Sequence, residues 1–333
     1  MIDPKLATLS SVLERADSRL RDPERDVHLW STGFDILDEV IGGGLRAGTL
    51  NLIAGPQGQG KTMFTLQIAR SAVVAGRSAL FFSYELDSDS LVQRLVAMEA
   101  GELGGTEAPK LSAIRAIFEG KDGSYGGLDQ RFANSQYGLA GLQRVMTYSD
   151  RLAIHRSTHT HTGMEEINNA VKDFAGVCGE PPLVVIDYLQ KVGIPHVELT
   201  EDERVTRVTE ELKDLAIEYG CPVLAIAASD RDGLEPGARM RARNMRGSTA
   251  LAYEADIVLI ISTKSDIVAR HHLVYDPGSM ERFKDWSVIT VEKNRSGHGG
   301  AEIELRKRFD QGRFEPQGRL VGEKLIDERL YTE

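Results

Sequence analysis

The chain has 333 residues, with 40 Lys and Arg against 50 Asp and Glu, a formal net charge of -10. Apolar residues make up 41% and charged residues 27%, so a sizeable core is available and wholesale disorder is excluded. No apolar run reaches the roughly 18 residues that a membrane span needs, which leaves the membrane out as a partner. The N-terminal MIDPKLATLSSVLERAD lacks the basic-then-apolar profile of a secretory signal. Cys178 and Cys221 stand outside any CxxC, which excludes a disulfide framework and a cysteine zinc site and fits a reducing, cytoplasmic setting. The acidic balance argues against indiscriminate adhesion to nucleic acid but leaves room for a local basic groove.

In chain order, residues 1–30 read as an amphipathic or linker helix. Leu6, Leu9, Leu13, Ala16 and Leu20 recur three and four apart as an apolar stripe, and the run from Arg21 to Asp26 breaks it as a linker. The stripe either packs on its own domain or docks on a neighbouring subunit. Residues 31–333 alternate short apolar runs with helical stretches, the pattern of an α/β domain with a mostly parallel sheet flanked by helices. The expected strands are Leu50 to Ala54, Ala79 to Ser83, Leu152 to His155, Leu183 to Asp187, Val223 to Ala227, Ile257 to Ser262 and Val288 to Glu292. A C-terminal hairpin follows, Ala301 to Lys307 turning at Asp310-Gln311-Gly312-Arg313. The Gly-rich run Glu119 to Gly127 and the stretch Asp230 to Gly247 read as loops.

Gly55-Pro56-Gln57-Gly58-Gln59-Gly60-Lys61-Thr62 fits GxxxxGK[ST], between the first core strand and a helix expected over Met63 to Val74. The glycines let backbone N–H groups turn around a phosphate chain, and the helix N-terminus adds partial positive charge. Lys61 would reach the β- and γ-phosphates, and the Thr62 hydroxyl would ligate Mg²⁺. Leu183-Val184-Val185-Ile186-Asp187 supplies an acid at the end of an apolar strand, where ligands of open α/β sheets bind, so Asp187 is the second Mg²⁺ residue. The strand Ala79 to Ser83 leads to Glu85 on the same edge. Glu85 is either the group that activates water or a surface acid closing a strand.

With these residues in view, the chain resembles the RecA-fold motor domain of DnaB-type replicative helicases. The resemblance rests on Thr32-Gly33-Phe34 to Leu37-Asp38, the glycines Gly42 to Gly44, Phe82-Ser83-Tyr84-Glu85-Leu86 and Ile186-Asp187-Tyr188-Leu189-Gln190. It implies a RecA-like P-loop NTPase using ATP and Mg²⁺, with Glu85 as the catalytic glutamate. It also implies a homo-oligomer, taken as a hexamer, that translocates on single-stranded DNA and unwinds duplex, with replication or loader proteins as further partners. Met245-Arg246-Gly247-Ser248-Thr249 resembles the loop that touches DNA phosphates in the central pore. Val291-Glu292-Lys293-Asn294-Arg295 resembles the segment whose Lys and Arg reach the neighbour's γ-phosphate, which makes Lys293 and Arg295 catalytic residues acting in trans.

Arg239, Arg241, Arg243 and Arg246 lie within eight residues with no acid between them. They read either as a grip on a nucleic-acid backbone without sequence preference or as a solvated loop. The chain also departs from the family pattern. Ala228 stands where the family has a γ-phosphate-sensing Gln, and about 30 residues precede the motor, too few for the family's primase-contacting domain. These departures favour an alternative, an ATP-dependent switch or scaffold like the KaiC and RadA groups. His155, His159 and His161 precede a capping box read as Thr162-Gly163-Met164-Glu165, with Glu165 as its acid and no metal site.

Overall fold

The computed structural model describes residues 7–21, 29–194, 199–230, 233, 239–247, 249–268, 277–323 and 325–326. Helix α1 (Leu9–Arg21) comes first, with Leu9, Leu13 and Leu20 all exposed. Leu6 and the expected linker from Asp22 to Asp26 lie outside the described residues. Two two-residue strands, β1 (Leu29–Trp30) and β2 (Leu45–Arg46), then pair antiparallel, with helix α2 (Asp35–Ile41) between them in the chain. Gly42 ends α2 at φ 87°, in the left-handed region that side chains avoid.

The apolar runs form one ten-stranded sheet. β3 (Leu50–Ala54) leads to α3 (Lys61–Val74), then β4 (Ala79–Ser83) to α4 (Ser88–Gly104). Three helices follow, α5 (Leu111–Phe118), α6 (Leu128–Phe132) and α7 (Gln136–Thr147), before β5 (Leu152–Arg156) and α8 (Met164–Cys178). β6 (Leu183–Asp187), α9 (Glu201–Tyr219), β7 (Val223–Ala227), α10 (Ala250–Glu254) and β8 (Ile257–Thr263) complete the parallel part. Its order is β8-β3-β7-β6-β4-β5. β9 (Trp286–Asn294) runs antiparallel to β8 and carries β10 (Glu302–Arg308), on which β11 (Arg313–Phe314) and β12 (Arg319–Leu320) both pair.

Every residue of β3, β4, β6 and β7 is buried, which requires cover on both faces. The pleat sends Ile53, Phe81, Val185 and Leu224 into one core with α2, α3 and α4. It sends Leu52, Leu80, Val184 and Ala225 into the other with α8 and α9. On the first face the Phe64 ring stacks on Phe34 at 4.8 Å and meets Phe314 edge-on at 5.6 Å. The buried Gln67 amide donates to the Phe314 carbonyl at 3.0 Å and accepts from its N–H at 2.9 Å. Arg70 of α3 forks onto Glu99 and Glu102 of α4 at 2.5 and 2.7 Å, which clamps these two helices together.

All the expected strands are present, with β5 gaining Arg156, β8 gaining Thr263 and β9 growing at both ends. The hairpin turns at Phe309–Gln311 and at Gly312. Helix α3 starts at Lys61, two residues before the expected Met63, because the glycine-rich loop closes directly onto it. The capping box at α8 is corrected by one residue. Gly163 is the N-cap, and Glu166, not Glu165, accepts its N–H at 2.8 Å. The Thr162 hydroxyl accepts from the Thr158 N–H instead. His155, His159 and His161 hydrogen-bond separately to Ser157, the Lys191 carbonyl and Thr160. No helix among the described residues is long and apolar enough to cross a membrane.

Candidate nucleotide-binding site

The C-terminal ends of the parallel strands converge on a pocket of about 550 Å³. Gly55 leaves β3 so close to β8 that a Cβ would stand 2.3 Å from the Ile261 carbonyl oxygen, so only glycine fits. Gly58 and Gly60 turn at φ 76° and 85°, and Gly60 hands over to α3. A helix N-terminus leaves its first N–H groups without intrahelical partners, and here that end opens into the pocket. Gly58, Gln57 and Met63 line the pocket. The Gln59 side chain turns aside to accept from the Thr263 hydroxyl at 2.6 Å.

Lys61 curls over its own loop, donating to the Gly55 and Pro56 carbonyls at 2.8 and 2.9 Å. Burial lowers its pKa, with Asp187 and Glu85 pulling the other way. Register brings the two acids together. Ser83 of β4 is opposite Asp187 of β6, and the Tyr84 N–H donates to the Asp187 carbonyl at 2.8 Å, so Glu85 projects beside Asp187. Asp187 is 1% exposed, and burial, reinforced by Glu85, raises its pKa to about 6 against the Thr62 hydrogen bond, Lys61 and Arg94. Its Oδ2 has no hydrogen-bond partner. A buried carboxylate oxygen left open beside a threonine hydroxyl is the hard-oxygen donor set that fits a hydrated divalent cation, with Thr62 and Asp187 holding it.

Sequence reasoning overlooked Arg94. It projects from α4 into this pocket, its Nε is buried without a partner, and no carboxylate among the described residues pairs with it. Burial lowers its pKa, with Arg115 adding to the effect and Asp187 opposing it. A desolvated guanidinium without a counter-ion is a ready anion ligand. The available signal was spacing alone: Asp87 caps α4 by accepting from the Ser90 N–H at 2.7 Å, and Arg94 follows about two turns later on that helix.

The four clustered arginines do not form one surface. Arg239 is a correction: it is 6% exposed and paired with Glu302 and the Thr290 hydroxyl, so it is a buried structural cation. Arg241 pairs with Glu292 at 2.7 Å. Arg243 is exposed on the 3-10 turn Ala242–Asn244. Arg246 lines the pocket and grips Glu201 of α9 with two bonds of 2.9 Å. Lys293 and Arg295 stand outside the pocket, tied to the end of α10. Lys293 donates to the Ala252 and Tyr253 carbonyls at 2.7 and 3.0 Å, and Arg295 to Tyr253 at 2.6 Å.

This fold and this site define a P-loop NTPase domain of RecA-like architecture. The chain belongs to the AAA domain family, whose model matches residues 16–233. The resemblance to DnaB-type helicase ATPase domains is borne out by its relatives. It is 25% identical over 297 residues to a probable plasmid replicative DNA helicase of Chlamydia psittaci, covering 88% of this chain and 57% of that protein. It is 24% identical to the replicative DNA helicase DnaB of Pasteurella multocida, covering 84% and 54%. The chain thus spans little more than half the length of these curated relatives. Among solved structures, one ATPase domain superposes with a TM-score of 0.70 at 18% identity, over 93% of this chain and 98% of that one. A DnaB-like replicative helicase studied with its primase interactions gives 0.69 at 18% identity, over 92% and 68%.

Proposed function

We propose that the chain is a Mg²⁺-dependent ATPase that assembles into a ring, travels on single-stranded DNA and unwinds duplex. The observation that carries this reading is the meeting of Lys61, Thr62, Glu85 and Asp187 in one pocket while Lys293 and Arg295 stand outside it. Lys61 and Arg94 hold phosphate oxygens, Thr62 and Asp187 hold the cation, and Glu85 takes a proton from the attacking water. When bound, the cation neutralises charge on the phosphates. Lys293 and Arg295 of each protomer serve the pocket of the next, and the exposed Leu9, Leu13 and Leu20 of α1 dock on that neighbour, with α1 as a preface to the ATPase domain. Arg243 and Arg246 contact DNA phosphates. Replication proteins are the partner class and the cytoplasm is the setting.

A second reading is a nucleotide-dependent switch without translocation. It is favoured by Ala228, which offers the pocket only a methyl group, and by the pairing of Arg246 with Glu201. Turnover measured with and without single-stranded DNA, at low and moderate salt, separates the two beside Lys61→Ala and Arg246→Ala. DNA stimulation that Arg246→Ala abolishes supports the motor, and turnover indifferent to DNA supports the switch.

A further inference from the structure

Gln190 sits on the 3-10 turn Leu189–Lys191, three residues beyond Asp187, and is 5% exposed. Its Oε1 accepts from the Ala228 N–H at 3.0 Å, and its Nε2 donates to the Arg246 carbonyl at 2.8 Å. The amide orientation follows from the partners, since a backbone N–H can only donate and a carbonyl can only accept. The Arg246 N–H in turn donates to the Ala228 carbonyl at 2.8 Å, and a bridge between Ser229 and Met245 extends that contact. Asp187, Tyr188, Ala228 and Arg246 all line the phosphate pocket. One buried side chain therefore joins the turn behind the metal-binding acid, the end of β7 and the loop that presents Arg246.

We propose that Gln190 is the positioning residue that carries the state of the phosphate pocket to the Arg246 loop, an inference that rests on the ATPase reading above. Were Asp187 to hold a cation, the turn that follows it would shift with the carboxylate. The buried amide cannot release either partner without leaving a polar group unpaired, so the loop moves with the turn. The Ala228 side chain has no polar atom to provide such a link. Gln190 supplies it from the turn that follows the neighbouring strand β6.

The test uses the full chain with Mg²⁺ and a non-hydrolysable ATP analogue, in wild type, Gln190→Met and Gln190→Glu. The Met variant keeps the length and removes both bonds. The Glu variant keeps an acceptor for Ala228 but, ionised, has no hydrogen for the Arg246 carbonyl. The analogue is expected to change amide hydrogen exchange across residues 239–247 by about fivefold or more in wild type and by less than about twofold in either variant. Stimulation by single-stranded DNA falls about tenfold in both variants while basal turnover stays within about twofold. A variant that melts like wild type and still responds like wild type overturns the inference. So does a basal rate that falls in step with the stimulated one, the mark of a purely structural role, and so does a wild-type loop that ignores the analogue. A wild-type loop that responds to the analogue in a protein DNA does not stimulate removes the motor reading and leaves Gln190 in place. Stimulation kept in all three proteins removes Gln190 and leaves the motor.

Discussion

Arg295 and Lys61 stand at opposite ends of the parallel strands of one mixed sheet. The Arg295 N–H donates to the Asp256 carbonyl at 2.9 Å and the Asp256 N–H to the Leu50 carbonyl at 2.7 Å, which sets Arg295 level with the first residue of β3. Lys61 lies beyond the last residue of that strand, so about 16 Å of strand separates the two levels. Protein carrying both Lys293→Ala and Arg295→Ala, and protein carrying Glu85→Ala, should each be inactive alone. Mixed in equal amounts they should regain about a quarter of wild-type turnover, because about one interface in four then has both halves intact. No recovery in confirmed mixed assemblies removes the shared site.

Asp187 gives a stability prediction whose sign is fixed by its environment. Its folded pKa of about 6 lies above the ordinary 3.8, so the folded state holds a proton that the unfolded state has lost. Without nucleotide or metal, stability contributed by this group is full below about pH 4 and falls as pH rises towards 6. Asp187→Asn should therefore raise the melting temperature at pH 7.5 but not at pH 4, by on the order of 2–3 kcal/mol of stability. The same variant should lose Mg²⁺-dependent nucleotide uptake in calorimetry. For the wild type, that uptake should weaken as pH falls through 6, since protonation removes the metal ligand.

Glu201 occupies the guanidinium proposed for DNA. Glu201→Ala should tighten binding of single-stranded DNA about two- to fivefold, the scale of an exposed ion pair. Arg246→Ala should weaken binding and flatten its dependence on salt by about one counter-ion, as read from a fluorescence titration over a range of salt concentrations. An unchanged slope would falsify the phosphate contact.

The leucines of α1 lend themselves to a solution test. Changing Leu9, Leu13 and Leu20 to Ser should leave the melting temperature within about 1 kcal/mol of wild-type stability, because all three are exposed in the single chain. Sedimentation should show the assembly shifting to smaller species. An unaltered assembly assigns the stripe to something other than a neighbouring copy.

Strands were legible because a buried parallel strand must be apolar on both faces, and runs such as Leu183 to Ile186 have few other uses. The phosphate loop was legible because Gly55 and Gly60 have no freedom to be another residue. β1 and β2 were not, because two residues carry no period. Arg239 was misread because its partner, Glu302, is 63 residues away in sequence, and only folding reveals that the pair is buried. Arg94 escaped notice for a related reason: a lone arginine in a helix looks like surface until the pocket opens beneath it. Whether a charge is neutralised is a property of tertiary neighbours, and local sequence does not encode it.

The Gln67 and Phe314 amide exchange joins residues 247 positions apart. The helix that bears Lys61 leaves a ribosome long before the hairpin that seals its apolar flank. Until Phe314 arrives beside Phe64, a nascent chain holds its nucleotide loop on an unfinished wall. The wall behind the nucleotide loop is therefore complete only once the β10–β11 hairpin has packed against α3.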